Sequence, residues 1–268
     1  MKKVALITLL ISTISLSLSA CHHQESADEV SVGTIAGPES QLMQVAKQVA
    51  LKRYELQVKI VTFNDYVQPN QALIDGDIDA NSFQHRPYLQ AQNRARGWQL
   101  VSVGKTFLYP MAIYSNKYKR LNQLPQQATI ALPNDPSNET RALLLLEQQQ
   151  LIHLRRHTNN ITPNDISDNP KALEFKTFSA AFLPRTLDDV DAAIINTTFA
   201  KPAGLNPQQS LAHENSTSAY TNVIVTTRKL QRSTKIQELV KAFQSPAVLQ
   251  KAQEIFGKNA IAGFSLAH

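Results

Sequence analysis

Short apolar strands alternate with amphipathic helices along most of the chain, and this alternation restricts the fold more than any other feature of the sequence. Residues Glu29–Ile35 alternate in polarity as a strand does. Gly37-Pro38-Glu39 then opens a helix, because proline suits the first helical turn and an acid there interacts well with the helix dipole. Residues 57–61 predict a second strand, and Asn64-Asp65 can cap the helix after it. The order strand, helix, strand, helix predicts a mostly parallel sheet covered by helices.

The same alternation continues towards the C-terminus and predicts a second α/β unit. The further predicted strands are residues 98–103, 110–114, 129–132, 173–177, 191–195 and 222–226, and the further helices are 136–149, 233–244 and 246–256. The chain of 268 residues is long enough for one large or two small domains. We interpret the pattern as two α/β lobes, and a cleft between two such lobes is a favoured ligand site.

The N-terminus has the pattern of a secretory signal peptide over residues 1–20. Two lysines precede an apolar stretch from Val4 to Leu18, which ends in Leu18-Ser19-Ala20-Cys21. The stretch is too short and too rich in hydroxyl groups for a bilayer span, which needs about 20 mainly apolar residues. Leu-Ser-Ala-Cys resembles the bacterial lipobox, so we expect a lipid on the Cys21 thiol and a polar tether over residues 21–28. The alternative is that Cys21 is an ordinary residue near the end of a signal peptide.

Composition excludes a fold stabilised by disulfides and gives no indication of a nucleic-acid-binding protein. Cys21 is the only cysteine, so intramolecular disulfides are excluded and stability must come from packing. The formal net charge of +6 falls by two once Lys2 and Lys3 leave with the signal peptide. The remaining charge is spread thinly, without a run of basic residues, so we assign no nucleic-acid role.

Six segments, in order from the first strand to the second half of the chain, resemble one family, the NlpA lipoproteins that bind methionine. The resemblance begins at the lipobox and continues to the C-terminus. The segments are Val32-Gly33-Thr34-Ile35-Ala36-Gly37-Pro38-Glu39, Asp79-Ala80-Asn81-Ser82-Phe83-Gln84-His85-Arg86-Pro87-Tyr88-Leu89, Pro133-Asn134-Asp135-Pro136-Ser137-Asn138, Arg141-Ala142-Leu143-Leu144-Leu145-Leu146, Leu183-Pro184-Arg185-Thr186-Leu187-Asp188-Asp189-Val190-Asp191 and Ala193-Ile194-Ile195-Asn196-Thr197-Thr198.

The resemblance implies the two-lobed fold of periplasmic binding proteins, with two mixed sheets flanked by helices and two hinge crossings. We place the crossings near residues 110–113 and 222–225. Lobe I then comprises residues 28–110 plus 226–268, and lobe II comprises residues 111–225. The resemblance also implies closure on a ligand by hinge motion. It further implies delivery of methionine to the permease of an ABC importer driven by its ATPase. We expect a monomer without a cofactor.

A free amino acid needs a cation for its carboxylate and oxygen acceptors for its ammonium group. Arg141 suits the carboxylate, because a guanidinium matches it bidentately and the nearby helix start favours an anion. An asparagine amide can accept from an ammonium group and donate to a carboxylate. Asn138, Asn196 and Asn222 are the candidates for this role that the resemblance favours. The alternative for Arg141 is a solvated side chain on a helix face. The alternative for the three asparagines is a role in turns or helix caps.

The ligand side chain needs a dry slot, which we assign to Tyr66, Phe83, His85 and Tyr88. A thioether is apolar and polarizable, and each sulfur–aromatic contact adds roughly 0.3–1.5 kcal/mol. The alternative is that these rings are ordinary core residues. His85 alone resembles a metal ligand, but no nearby His, Cys or acid has the spacing of a second ligand, so we assign no metal.

Two positions depart from the family pattern and leave the exact ligand open among L-methionine, D-methionine and a methionine dipeptide. Thr140 stands where relatives commonly have glycine, so extra bulk is expected near the carboxylate end. Ala219-Tyr220 replaces the more usual Pro-Tyr before Asn222.

Two other functions remain as alternatives, a dehydratase-like enzyme with Glu139 as general acid and a surface adhesin. Against an enzyme, the sequence has no nucleophile elbow, zincin motif or phosphate loop. We therefore assign no catalytic residue. The expected location is the cell membrane or the outer membrane, since His22 follows Cys21 and does not provide the aspartate associated with inner-membrane retention.

Overall fold

The structure is a computed structural model that describes residues 28–155, 160–215, 219–257 and 261–266. The signal peptide, Cys21 and the tether up to residue 27 lie outside these ranges. Among the helices described, none is long and apolar enough to cross a membrane.

The first sheet has five strands in the order β2-β1-β3-β13-β4. β1 is parallel to β2 and to β3, while β13 is antiparallel to both of its neighbours. The mostly parallel sheet expected from the strand and helix order is therefore mixed, because β13 enters it from the far end of the chain. The strands are β1 (Glu29–Ile35), β2 (Gln57–Phe63), β3 (Ala80–His85), β4 (Leu100–Lys105) and β13 (Asn222–Thr227).

Helices cover both faces of this sheet. On one face, Leu42, Ile236 and Val248 from three helices pack against Val30 and Ile224 of the sheet. Val223 and Val225, the neighbours of Ile224, face the opposite layer with Leu73 and Leu89. The alternation of side chains along β13 therefore supplies both cores. The helices are α1 (Pro38–Tyr54), α6 (Thr234–Phe243) and α7 (Pro246–Phe256) on the first face, and α2 (Gln68–Asp75) and α3 (Arg86–Arg96) on the second.

The second sheet also has five strands, in the order β10-β7-β11-β6-β12. β10, β7 and β11 are parallel, and β6 is antiparallel to β11 and β12. Helix α4 packs Leu143 and Leu146 against Ile130 and Ile194 of this sheet. The strands are β6 (Ala112–Tyr114), β7 (Thr129–Pro133), β10 (Glu174–Phe178), β11 (Ala192–Ile195) and β12 (Ala212–His213), and the helices are α4 (Pro136–Gln148) and α5 (Thr197–Ala200).

The chain passes between the sheets twice. It leaves the first sheet after β4 and enters the second at β6, and it returns between β12 and β13. β13 pairs with the first sheet from Asn222 onward. The residue boundaries of the two lobes remain a prediction. Two small two-stranded sheets complete the fold, β5 (Phe107–Leu108) with β14 (Ile261–Ala262) and β8 (His153–Leu154) with β9 (Ile166–Asp168).

Candidate functional site

A pocket of about 330 Å³ lies where the two sheets face each other. All eight residues that the sequence predicted for ligand contact line it, although their contacts with a ligand remain a prediction. These residues are Tyr66, Phe83, His85, Tyr88, Asn138, Arg141, Asn196 and Asn222, and they are joined by Gln84, Tyr109, Thr197 and Thr198.

The strand ends of both sheets bring these side chains together. His85 ends β3, and Asn196 directly follows β11. Asn222 begins β13, which runs antiparallel to β3 and pairs Asn222 with His85. Arg141 lies in the second turn of α4, which follows β7. Open α/β sheets bind ligands at the carboxyl ends of their strands, and this pocket has that position.

Arg141 is buried in the pocket wall and forms an ion pair with Glu214. Its Nε donates to Glu214 Oε1 at 2.7 Å and its Nη2 donates to Oε2 at 2.6 Å. Nη2 also donates to the carbonyl oxygen of Tyr109 at 2.9 Å, and the Tyr220 ring lies 4.6 Å from the guanidinium carbon. No hydrogen bond from Nη1 is found among the residues described. The Nε–Nη2 edge is therefore not available to a ligand carboxylate, and Nη1 is the donor that remains.

Glu214 is held by the backbone of Met111, which directly precedes β6. Glu214 follows β12, and its backbone N–H donates to Met111 O at 2.9 Å while Met111 N donates to its Oε2 at 2.8 Å. Nothing in the local sequence indicated this role, because a single acid within His213-Glu214-Asn215 resembles an ordinary loop residue.

Asn138 orients two neighbouring pocket residues. Its Nδ2 donates to Asp135 Oδ2 at 2.9 Å, and its Oδ1 accepts from Asn196 Nδ2 at 2.9 Å. Its Oδ1 also lies 3.1 Å from His85 Nε2. Because these contacts use both lone pairs of the carbonyl oxygen, Asn138 positions His85 and Asn196 and has little capacity left for a ligand.

The hydrogen bonds of His85 define its tautomer. Its Nδ1 accepts from the backbone N–H of Tyr88 at 3.1 Å, so its proton is on Nε2, which donates to Asn138. Burial, together with the nearby positive charge of Arg141, lowers the pKa of His85 to about 3. His85 is therefore neutral at physiological pH.

The amide of Asn196 leaves an acceptor free in the pocket. Its Oδ1 is buried and has no hydrogen-bond partner among the residues described. Burying such an acceptor without a donor costs about 1–3 kcal/mol, so a donor from a ligand would be favoured there. Asn222 uses its Nδ2 to bind the Phe83 carbonyl oxygen at 3.1 Å.

Tyr66, Phe83 and Tyr88 line the aromatic end of the pocket, and the Phe199 ring packs against Tyr66. The ring centre of Tyr66 lies 5.6 Å from that of Phe83, 5.9 Å from Tyr88 and 4.8 Å from Phe199. The Tyr88 hydroxyl donates to the Tyr66 carbonyl oxygen at 2.7 Å, which fixes the two chain segments together. The sequence pattern did not indicate Phe199, which supports Tyr66 from the second lobe.

Two predicted details differ in the structure. The hydroxyl of Thr140 accepts from Ile161 N at 2.8 Å, and Thr140 is not among the residues that line the pocket. The expected bulk near the carboxylate end was therefore wrong. Glu139, the acid considered for an enzyme, is also not among the residues described as lining the pocket.

Comparison with known proteins identifies the family. The family model for the NlpA lipoprotein matches residues 30–264. The chain is 44% identical to the D-methionine-binding lipoprotein MetQ of Escherichia coli K12, over 93% of this chain and 94% of that protein. A nutrient binding protein from Burkholderia cenocepacia bound to methionine has a TM-score of 0.86 and 49% identity, over 88% of this chain and all of that one. A periplasmic substrate-binding protein of an ABC transporter from Coxiella burnetii has a TM-score of 0.85 and 55% identity, over 87% of this chain and all of that one. The chain therefore belongs to the NlpA lipoprotein family.

Proposed function

We propose that this protein binds methionine in the pocket between its lobes and delivers it to an ABC importer. It is a substrate-binding protein and not an enzyme, in agreement with its family and with its relatives, which are named as binding components. A methionine-bound neighbour at 49% identity supports the ligand class.

The observation that carries the proposal is the match between three parts of the pocket and three parts of the ligand. Arg141 Nη1 is the donor left for the ligand carboxylate, the unpartnered Oδ1 of Asn196 is an acceptor for the ammonium group, and the rings around Tyr66 offer an apolar slot for the thioether. The thioether is apolar and polarizable, and it suits an aromatic slot.

The charge balance of the pocket favours a zwitterion. Glu214 already compensates the charge of Arg141, and His85 is neutral. A ligand with net charge would bring an uncompensated charge into a buried site, which is unfavourable. Methionine carries no net charge, and its about nine heavy atoms at up to roughly 1.5 kcal/mol each permit nanomolar binding.

The lipid anchor determines where the protein acts. We propose that the Cys21 thiol carries a lipid and holds the protein on the outer face of the cell membrane or at the outer membrane. A single acyl chain binds membranes only marginally, so stable anchoring requires further acyl chains on the same cysteine. The tether then lets the monomer reach the importer's permease.

Mass spectrometry of the ligand released by denaturing freshly purified protein tests the proposal. We expect methionine, and chiral chromatography then distinguishes the L form, the D form and a dipeptide. Recovery of a compound without sulfur would refute the assignment of methionine as the ligand. Catalytic consumption of the added ligand would instead support the enzyme alternative.

A further inference from the structure

Glu39 makes a hydrogen bond between the two lobes beside the ligand pocket. It lies in the first turn of α1 and is 6% exposed. Thr198, in α5 of the second lobe, donates from its Oγ1 to Glu39 Oε1 at 2.7 Å. The same two segments also touch at Gly37 and Pro202, where a Cβ on the glycine would lie 3.2 Å from Pro202 Cγ. The N-terminus of α1 therefore packs against the opposite lobe.

The second carboxyl oxygen of Glu39 has no such partner. Oε2 is buried without a hydrogen bond in the part of the chain that the structure describes. Glu39 borders a cavity of about 190 Å³ that shares Tyr109 and Asn222 with the ligand pocket. Glu39 itself is not among the residues lining the ligand pocket. Its role is therefore separate from direct ligand contact.

The surroundings of Glu39 favour its neutral form. Burial raises its pKa to about 8, although the hydrogen bond from Thr198 opposes this shift. The titratable groups facing it are the phenols of Tyr66 and Tyr109, whose pKa values are raised by burial and by the Glu39 charge. Lys201 and Glu254 line the outer cleft beside Gly37. Within the ranges described, no cation pairs with this carboxyl group.

We propose that Glu39 is a positioning residue that, as a neutral acid bound to Thr198, holds the two lobes closed behind the ligand. This inference depends on the proposed function, because closure is the step that retains the ligand. When the lobes separate, the carboxyl group regains water and its ordinary acidity, so closing on a ligand takes up a proton. Affinity then falls as pH rises from about 4.5 to about 8, by up to tenfold per pH unit.

Glu39→Gln separates this role from simple packing. Its amide oxygen still accepts from Thr198, but the side chain cannot ionise. We expect Glu39→Gln to bind methionine within about threefold of wild type at about pH 4.5 and to lack the decline towards about pH 8. Isothermal titration in buffers of different ionisation enthalpy should show proton uptake on binding by the wild type and none by Glu39→Gln. An equal pH dependence in both proteins would overturn the proposal.

A double-mutant cycle tests the partner. At about pH 4.5, where closure takes up about half a proton, Glu39→Ala and Thr198→Val should each weaken binding, and the double variant should be no weaker than the worse single variant, because both remove one interaction. Additive losses would overturn the pairing. Thermal unfolding of the ligand-free proteins controls for loss of fold.

The two proposals fail in distinguishable ways. If wild type does not bind methionine, the methionine assignment fails, and the same titrations with the compound recovered from the purified protein still test the latch. Glu39→Gln should then lack the pH dependence that wild type shows for that compound. An equal pH dependence in both proteins would overturn the latch. If wild type binds methionine but Glu39→Gln retains the pH dependence, only the latch fails.

Discussion

Arg141 and Glu214 form a buried, bidentate ion pair. Arg141 Nε lies 2.7 Å from Glu214 Oε1, and Arg141 Nη2 lies 2.6 Å from Glu214 Oε2. Both residues are almost inaccessible, at 3% and 7% exposure. Glu214 therefore fixes the guanidinium plane and leaves Nη1 for the ligand. It also makes the arginine part of the structure of the second lobe, so a loss of Arg141 affects folding as well as binding.

A paired substitution separates these two effects. Arg141→Met alone should abolish most methionine binding and also destabilise the protein by about 3–5 kcal/mol, because it leaves Glu214 buried and unpaired. Arg141→Met with Glu214→Gln should recover most of the stability, since glutamine is neutral and still accepts from Met111 N. Urea unfolding and titration calorimetry measure the two quantities. Binding by the double variant within about threefold of wild type would contradict the carboxylate role of Arg141.

His85 should make the protein less stable in acid. Its pKa is about 3 in the folded state, below the ordinary value of 6.5, so the unfolded chain binds a proton more readily. Stability from this group is fully present above pH 6.5 and is lost as pH falls towards 3, by up to roughly 1.4 kcal/mol per pH unit.

The comparison with His85→Gln isolates this contribution from that of the carboxyl groups. Unfolding free energies from urea titrations should decline less steeply with acid in the variant than in wild type over this range. Parallel pH profiles for the two proteins would show that His85 does not titrate as its surroundings imply.

Local patterns predicted the regular elements well, and they predicted the buried polar contacts poorly. β1 begins and ends at the predicted residues, because its polarity alternates. β3 was not predicted as a strand, since all six of its residues are buried and four are polar. Its Asn81 and Gln84 are instead satisfied by each other and by Asn70, with Gln84 Nε2 donating to Asn81 Oδ1 at 2.9 Å. Such a network cannot be recognised before the helix that carries Asn70 is placed.

The buried polar contacts of the site were equally hard to predict from local sequence. The chemistry of an amino-acid ligand and the family resemblance together identified eight residues that line one pocket. They did not indicate Glu214 or Glu39, which hold other residues in place. Glu214 is 73 positions from Arg141, and Glu39 is 159 positions from Thr198. Neither pairing has a local signature, because the first depends on how the end of β12 meets α4 within the second lobe and the second depends on how α5 approaches the first lobe.

The aromatic end of the pocket should distinguish a thioether from a hydrocarbon chain of the same length. Wild type should bind methionine more tightly than norleucine, because each sulfur–aromatic contact adds roughly 0.3–1.5 kcal/mol. Phe83→Leu keeps an apolar side chain but removes one ring beside Tyr66. It should lower the affinity for methionine more than it lowers the affinity for norleucine. Competition binding measures both affinities, and an unchanged ratio in the variant would exclude sulfur recognition by Phe83.

The close contact between β4 and α6 should make Gly104 intolerant of a side chain. A Cβ at Gly104 would lie 2.6 Å from Val240 Cγ1, although the glycine has an ordinary backbone conformation. Gly104→Ala should therefore destabilise the protein by about 1–3 kcal/mol through overpacking. Val240→Ala removes the opposing methyl groups and serves as the matched partner. The double variant should be more stable than the sum of the two single changes implies, as measured by urea unfolding. If the two losses of unfolding free energy add within about 0.5 kcal/mol, the helix adjusts to the new side chain and the predicted clash with Val240 does not occur.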